Sequence, residues 1–273
     1  MHTLLRLRTH EVPPALAGID APRTVVDELV WREVGGDTTT RRVGSWRLDA
    51  VPRTGFALLW GERAGHGMLL PAAGLRAVRA AALTVSAARV FLHSRVVTVS
   101  VLGSGLAAHA VLAELAVHVP GTSHVAIHAT DGWGVPDDLA DDLELAGVGL
   151  ACPVSAQDAA FGANLVVLTD PCGGEWLPPR GALIVNATGQ PPPEHVVSLA
   201  DQVFTDDRTG PGRAGLGQVL AGTHPGRCAP DDIVLVDLPG VNAGGVWLAY
   251  RLYESAQRKG LGVPTRAPRR RLP

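Results

Sequence analysis

Lysine is almost missing from this chain: Lys259 stands alone against 23 arginines. Any mechanism that needs a lysine in the middle of the chain is thereby excluded. Cysteine is confined to Cys152, Cys172 and Cys228. An odd number without C-x-x-C spacing argues against a disulfide framework and a zinc site, so no metal site is read and a reducing compartment is expected. No stretch reaches the ~18 uninterrupted apolar residues of a membrane span. Residues 1–14 carry Arg6, Arg8, His10 and Glu11 where a signal peptide would have its apolar centre. The expectation is a soluble, cytoplasmic protein with no membrane partner. Positive charge is not in excess either: 24 basic residues face 26 acidic ones, a formal charge of −2, which argues against nucleic acid as a partner.

What the chain does have is small apolar residues and turn formers. Of its 273 residues 46% are hydrophobic but only 4% aromatic, with 32 Gly and 21 Pro. Ala/Val/Leu layers joined by many tight turns are the corresponding architecture, and they point to an α/β fold. Over residues 1–59 short apolar runs are broken by Pro13, Pro14, Pro22, Gly35, Gly36, Pro52 and Gly55, which fits several short strands and one helix near residues 23–33. Residues 71–93 then read as a long Ala-rich helix with Pro71 in its first turn and one buried face carrying Val78, Ala81, Ala82 and Val85. The β-branched run Val96-Val97-Thr98-Val99-Ser100-Val101-Leu102 follows as a buried strand.

A glycine-rich turn comes next. Gly103-Ser104-Gly105-Leu106-Ala107-Ala108 has the G-x-G-x-x-[GA] form and opens a helix with Leu112, Leu115, Ala116 and Val119 on one face. A second strand covers residues 124–129. In this arrangement Gly103 makes the turn, Gly105 lets the backbone approach a pyrophosphate at the helix N-terminus, and small Ala108 lets helix and strand pack closely. Asp131 lies at the distance of the acidic residue that accepts from adenosine ribose hydroxyls, which would favour NAD over NADP. In Thr130-Asp131-Gly132 it is equally an ordinary turn residue. Further strands are read at Leu165-Val166-Val167-Leu168, Ala182-Leu183-Ile184-Val185, Gln202-Val203-Phe204-Thr205 and Ile233-Val234-Leu235-Val236. Thr169 follows the first of these and is placed to line a cofactor. The pattern predicts a Rossmann-type, doubly wound parallel sheet. A closing helix is read at residues 246–258, with Ala249, Leu252, Tyr253 and Ala256 on one face and Gly260 as its stop. Arg266, Arg269, Arg270 and Arg271 belong to a solvated, mobile tail.

Residues 71–262 resemble the ornithine cyclodeaminase/mu-crystallin family. The resemblance runs collinearly through Leu75-Arg76-Ala77-Val78-Arg79-Ala80-Ala81-Ala82, the loop Gly103 to His109, the run Gly181-Ala182-Leu183-Ile184-Val185-Asn186-Ala187-Thr188-Gly189, Gly222-Thr223-His224-Pro225-Gly226-Arg227, and the stretch Asp231 to Gly240. It implies a smaller α+β substrate and dimerisation domain at residues 1–93, an NAD(P)-binding Rossmann domain at 94–228, a C-terminal segment at 229–262 that returns to the first domain, and a basic flexible tail at 263–273. It further implies NAD or NADP as cofactor, a homodimer, and hydride transfer at Cα of an amino- or imino-acid-like small molecule or related biosynthetic intermediate. Arg79 matches the arginine that in the family contacts the substrate carboxylate; Arg76, on the same helix, is the alternative.

The sequence also departs from the family. No lysine precedes Lys259, and Arg47, which could occupy a comparable strand, cannot exchange protons near neutral pH. After Gly189 the chain reads Gln190-Pro191-Pro192-Pro193-Glu194 where the family has an aspartate, and Gly245 stands where another aspartate often follows. The region before residue 71 is shorter than the family's. His66 and His195, in loops near family active-site segments, are candidate proton donors. The leading expectation is an NAD(P)-dependent oxidoreductase of imine reductase or amine dehydrogenase type with Arg79, His195 and His66 as catalytic candidates. The alternatives are a catalytically silent cofactor- or ligand-binding or scaffold protein and, against the missing lysine and aspartate, a true ornithine-type cyclodeaminase. Burial of Arg79 beside an empty cleft would favour the enzyme, and Arg79 facing bulk water the binder.

Overall fold

A computed structural model describes residues 3–35, 38–39, 42–171, 176–207, 214–243 and 245–266. Cys172 and the tail arginines Arg269, Arg270 and Arg271 lie outside the described residues. The chain begins with β1 (Thr3–Arg6), a short α1 (Val12–Leu16) and α2 (Ala21–Glu33). Asp20 starts α2 by accepting from the Arg23 amide at 2.8 Å, with proline in the first turn. A meander follows: β2 (Thr38–Thr39), β3 (Arg42–Val43), β4 (Trp46–Val51), β5 (Phe56–Gly61) and β6 (His66–Pro71). Then comes α3 (Ala72–Phe91).

The second half alternates strand and helix: β7 (Val97–Leu102), α4 (Gly105–His118), β8 (Thr122–His128), α5 (Asp137–Leu145), β9 (Gly149–Ala151), α6 (Ala156–Ala160) and β10 (Leu165–Leu168). It continues through β11 (Leu183–Asn186), α7 (Glu194–Leu199), β12 (Gln202–Thr205), β13 (Ala214–Gly215), α8 (Leu216–Leu220) and β14 (Val234–Asp237). A 3-10 turn (Pro239–Ala243), α9 (Val246–Arg258) and β15 (Val263–Arg266) close the chain.

Two sheets result. The first runs β15-β1-β6-β5-β4-β3-β2, and the second runs β13-β12-β14-β11-β10-β7-β8-β9 with every pairing parallel. The doubly wound α/β architecture read from the sequence is present, with a second, smaller sheet unit beside it. The connections leave β7 toward β8 on one side and β10 on the other, so the topological switch point lies between β7 and β10.

Three expectations change. The Ala-rich helix does not bury a single face: α3 is buried continuously over residues 77–88, because it packs against both α2 and α4. Its alanines are small on every side for that reason. The return of the chain to the first unit does not begin at residue 229, since β14 inserts between β11 and β12 of the parallel sheet. It is α9 that contacts α1, α2 and the meander strands β3, β4 and β5. The tail is not free from residue 263, because β15 pairs antiparallel with β1 from Thr3↔Arg266 to Arg6↔Val263. Among the described residues no helix is long and apolar enough to cross a membrane, and no group of three or more His, Cys, Asp or Glu is placed to hold a metal ion.

Candidate functional site

The loop after β7 has the geometry that its sequence calls for. Gly103 and Gly105 have φ of 134° and 69°, conformations that side chains with a Cβ rarely adopt. A methyl group at Gly103 would collide with Thr169 Oγ1 and the Asp170 backbone nitrogen, whereas one at Gly105 meets open space. Glycine is thus required at 103 by contact with the β10 loop and at 105 by conformation. Ala108, fully buried, packs α4 onto the sheet. Ser104 is the N-cap of α4 but makes no side-chain capping bond, so the first-turn amides of the helix stay open. Its hydroxyl points elsewhere, to Asp131 Oδ2 and Asp170 Oδ2, each at 2.8 Å, and its N–H donates to Asp170 Oδ2 at 2.7 Å.

Asp131 is tied both to its own turn and to the glycine-rich loop. Its Oδ1 accepts from the Trp133 amide at 3.0 Å, as a turn aspartate does, while its Oδ2 reaches back to the glycine-rich loop. The Ser104 hydroxyl, followed by the Trp133 amide, holds its carboxyl below the usual carboxylate range. Asp170 was not singled out by sequence reasoning. The signal was its place directly after the cleft-lining Thr169.

Beside this loop is a cleft of about 190 Å³, lined by Arg76, Ala77, Leu106, Ala107, Thr169 and Thr188 together with Ala73, Ala80, Ala187 and Val241. Its walls come from α3 and from the turns after β7, β10 and β11, at the carboxyl ends of strands flanking the switch point. Thr169 is buried and its hydroxyl has no hydrogen-bond partner among the described residues. The turn after β11 is held by Asn186, which donates to Asp237 Oδ1 at 2.8 Å and accepts from Thr188 Oγ1 at 2.8 Å. Leu106 and Ala77 also line a second, largely apolar cavity of about 220 Å³ between α1, α3 and α4.

The three catalytic candidates do not come together. Arg79 is fully buried; its Nη1 donates to Glu28 Oε2 at 3.0 Å and its Nη2 lies 3.8 Å from Asp206 Oδ2. Burial opposes its charge, but Glu28 and Asp206 outweigh that and raise its pKa. A methyl group at Gly245 would collide with the guanidinium. Arg79 is therefore neither beside the cleft nor in bulk water. Its helical turn points it at α2, and an internal carboxylate takes the place that the resemblance gave to a substrate. Arg76, one turn earlier and exposed, is the arginine that lines the cleft, with no hydrogen bond or ion pair among the described residues.

His66 opens β6, at the opposite end of that strand from α3, and packs with Trp46 and Tyr253 at ring distances of 5.7 Å each. His195 sits on α7 against Trp176, whose ring belongs to the core on the other face of the parallel sheet from α3. Arg47 is paired with Asp49 at 2.6 Å, and Glu194 is exposed in the first turn of α7. None of these lines the cleft.

No family profile and no curated protein matches the chain. Solved structures do. A probable ornithine cyclodeaminase from Bordetella pertussis Tohama I is similar at a TM-score of 0.73 and 21% identity, over 96% of this chain and 100% of that one. An archaeal alanine dehydrogenase dimer with bound NAD follows at 0.73 and 17%, over 97% and 99%. The Δ1-pyrroline-2-carboxylate reductase of Thermococcus litoralis, in complex with NADH and L-proline, gives 0.70 and 14%, over 95% and 99%. At these identities the likeness is one of fold, and it extends over nearly the whole of each neighbour.

Proposed function

We propose that this chain, which has the fold of ornithine cyclodeaminase and of NAD-bound amino- and imino-acid enzymes, is itself an NAD(P)-dependent oxidoreductase. Its substrate would be an amino- or imino-acid-like small molecule, handled as by an imine reductase or amine dehydrogenase. One observation carries the reading: a cleft at the switch point of the sheet combines helix amides without a side-chain cap, a buried hydroxyl and an arginine, both without a hydrogen-bond partner among the described residues. Open amides suit a coenzyme phosphate, and the Thr169 hydroxyl supplies a polar contact that a ligand would complete.

Gly103, Ser104, Gly105, Leu106, Ala107 and Ala108 would hold the pyrophosphate side of NAD(P), with Asp131 toward the adenosine ribose and Thr169 deeper in the cleft. Bound there, the coenzyme supplies or removes a hydride at the carbon of a C=N or CH–N group. Arg76 would fix the substrate carboxylate, since its planar, permanently charged fork matches a carboxylate in two hydrogen bonds. The small side chains Ala73, Ala77 and Ala80 leave room for the substrate body along α3. The alanine dehydrogenase neighbour is described as a dimer, and a homodimer is proposed here too.

A silent binding or scaffold protein is the second reading, favoured by the enclosure of Arg79 and the absence of lysine before Lys259. Titration with NADH and NADPH, followed by nicotinamide fluorescence and thermal shift, separates the readings when continued with α-imino acids. Binding of one coenzyme and its oxidation by an imino acid is the expected result. Binding without turnover would favour the silent protein, and binding of neither would overturn the coenzyme site.

A further inference from the structure

The glycine-rich loop already carries an anion. Asp170 Oδ2 accepts the Ser104 N–H at 2.7 Å and lies 2.8 Å from Ser104 Oγ, which is also 2.8 Å from Asp131 Oδ2. A hydroxyl has one proton, so Ser104 Oγ can serve only one of the two carboxylates at a time. The amide holds Asp170 whichever way that proton points. Asp170 thus uses a backbone donor of the loop in the way a ligand phosphate oxygen would. Glycine at 103 permits the approach, because a Cβ there would collide with Thr169 Oγ1 and the Asp170 backbone nitrogen. Residues 96–179, which include the loop and both aspartates, contain ten Asp and Glu and not one Lys or Arg. The arginine of the cleft, Arg76, comes from α3, outside that stretch.

We propose that Asp170 sets the coenzyme affinity of the loop, keeping it low by holding a negative charge on the Ser104 amide next to the place of the coenzyme phosphates. The inference rests on the reading of the cleft as an NAD(P) site. A phosphate seated on the first turn of α4 would lie close enough to Asp170 for like-charge repulsion to weaken its binding. Weak hold has a chemical use. A net reduction consumes one reduced coenzyme per turnover and must release the oxidised form, whereas a redox-neutral cycle returns the hydride and can retain its coenzyme. A loop with a built-in anion suits the first kind of reaction, in which coenzyme enters and leaves each cycle.

The test compares NADH binding to the full-length wild type, Asp170→Asn and Asp170→Ser by fluorescence titration and by stopped-flow dissociation, at low salt and near 1 M salt. The asparagine retains an acceptor for the Ser104 amide and removes only the charge; the serine variant serves if the asparagine variant misfolds. The expected result is NADH binding tightened about tenfold at low salt, through slower dissociation, with the gain shrinking at high salt as the repulsion is screened. Unchanged or weaker binding in the variants overturns the inference, as does a gain indifferent to salt, which would mark a packing effect. If the wild type binds NADH and the variants bind no tighter, only this inference falls. If neither wild type nor variants bind a dinucleotide, the coenzyme reading falls with it.

Discussion

Two arginines one helical turn apart have opposite environments, and the difference decides what each can do. Arg79 is sealed against Glu28 and Asp206, while Arg76 opens on the cleft. Removing one member of a buried ion pair leaves the other charge uncompensated, which costs roughly 3–5 kcal/mol. Arg79→Ala is therefore expected to unfold at clearly lower urea, with Glu28 left buried without its hydrogen-bonded partner and only the nearby Arg32 to offset its charge. Arg76→Ala is expected to stay within about 0.5 kcal/mol of wild type, as exposed substitutions do, while losing affinity for carboxylate ligands. Urea unfolding and ligand titration on the two variants check this pair of outcomes; equal stability losses would contradict the assignment. Helical spacing alone could not separate them. Both positions are compatible with a helix surface, and the partners of Arg79 lie 51 and 127 positions away in the chain.

At the scale of elements, the strand-turn-helix of β7 and α4 was legible because its requirements are local. Glycine permits the two positive-φ positions, and β-branched residues precede them in a buried strand. The two glycines nevertheless differ in a way no motif reveals. Gly103→Ala must overcome both conformation and collision with the β10 loop, and a loss of about 2 kcal/mol or more is expected. Gly105→Ala meets open space and should lose about 1 kcal/mol from its left-handed backbone alone. Thermal and urea unfolding of the two alanine variants measures the difference. A larger loss at Gly105 would show that the two loops are not in contact. Burial of α3 on nearly all sides was likewise hidden, since an alanine-rich helix reads the same with one neighbour or two.

The two halves of the molecule are joined by a buried charge cluster. Glu28 and Arg32 come from α2, Arg79 from α3 and Asp206 from the end of β12; Arg32 Nη2 donates to the Asp206 backbone oxygen at 3.0 Å, and the Gly240 amide donates to Asp206 Oδ1 at 2.9 Å. Burial pushes the Asp206 carboxyl up to about 6, against the pull of Arg79. A carboxyl that keeps its proton longer when folded makes the native state bind more protons than the unfolded chain between about pH 4 and pH 6. Its contribution to stability is present in full below about pH 4 and is lost as the pH rises through about 6. Asp206→Asn, which cannot ionise, should lack this slope. Urea unfolding at pH 4.5 and 7 is expected to show the variant gaining on wild type by on the order of 1 kcal/mol at the higher pH. A gain at the lower pH would reverse the sign and refute the account.

Composition, hydrophobic period and one glycine-rich turn were enough to define an α/β chain with a parallel sheet and a glycine-rich loop opening a helix, because those features depend on residues close in sequence. The closing helix and the strands β7, β8, β10, β11, β12 and β14 of the parallel sheet follow from the same short-range physics. Which side chains share a space did not. The placement of β14 inside the sheet, the pairing of β15 with β1, the enclosure of Arg79 and the meeting of Asp131 and Asp170 at Ser104 all join distant segments. Such contacts are fixed only when the layers pack, and there α3 turns one arginine inward and the next toward the cleft.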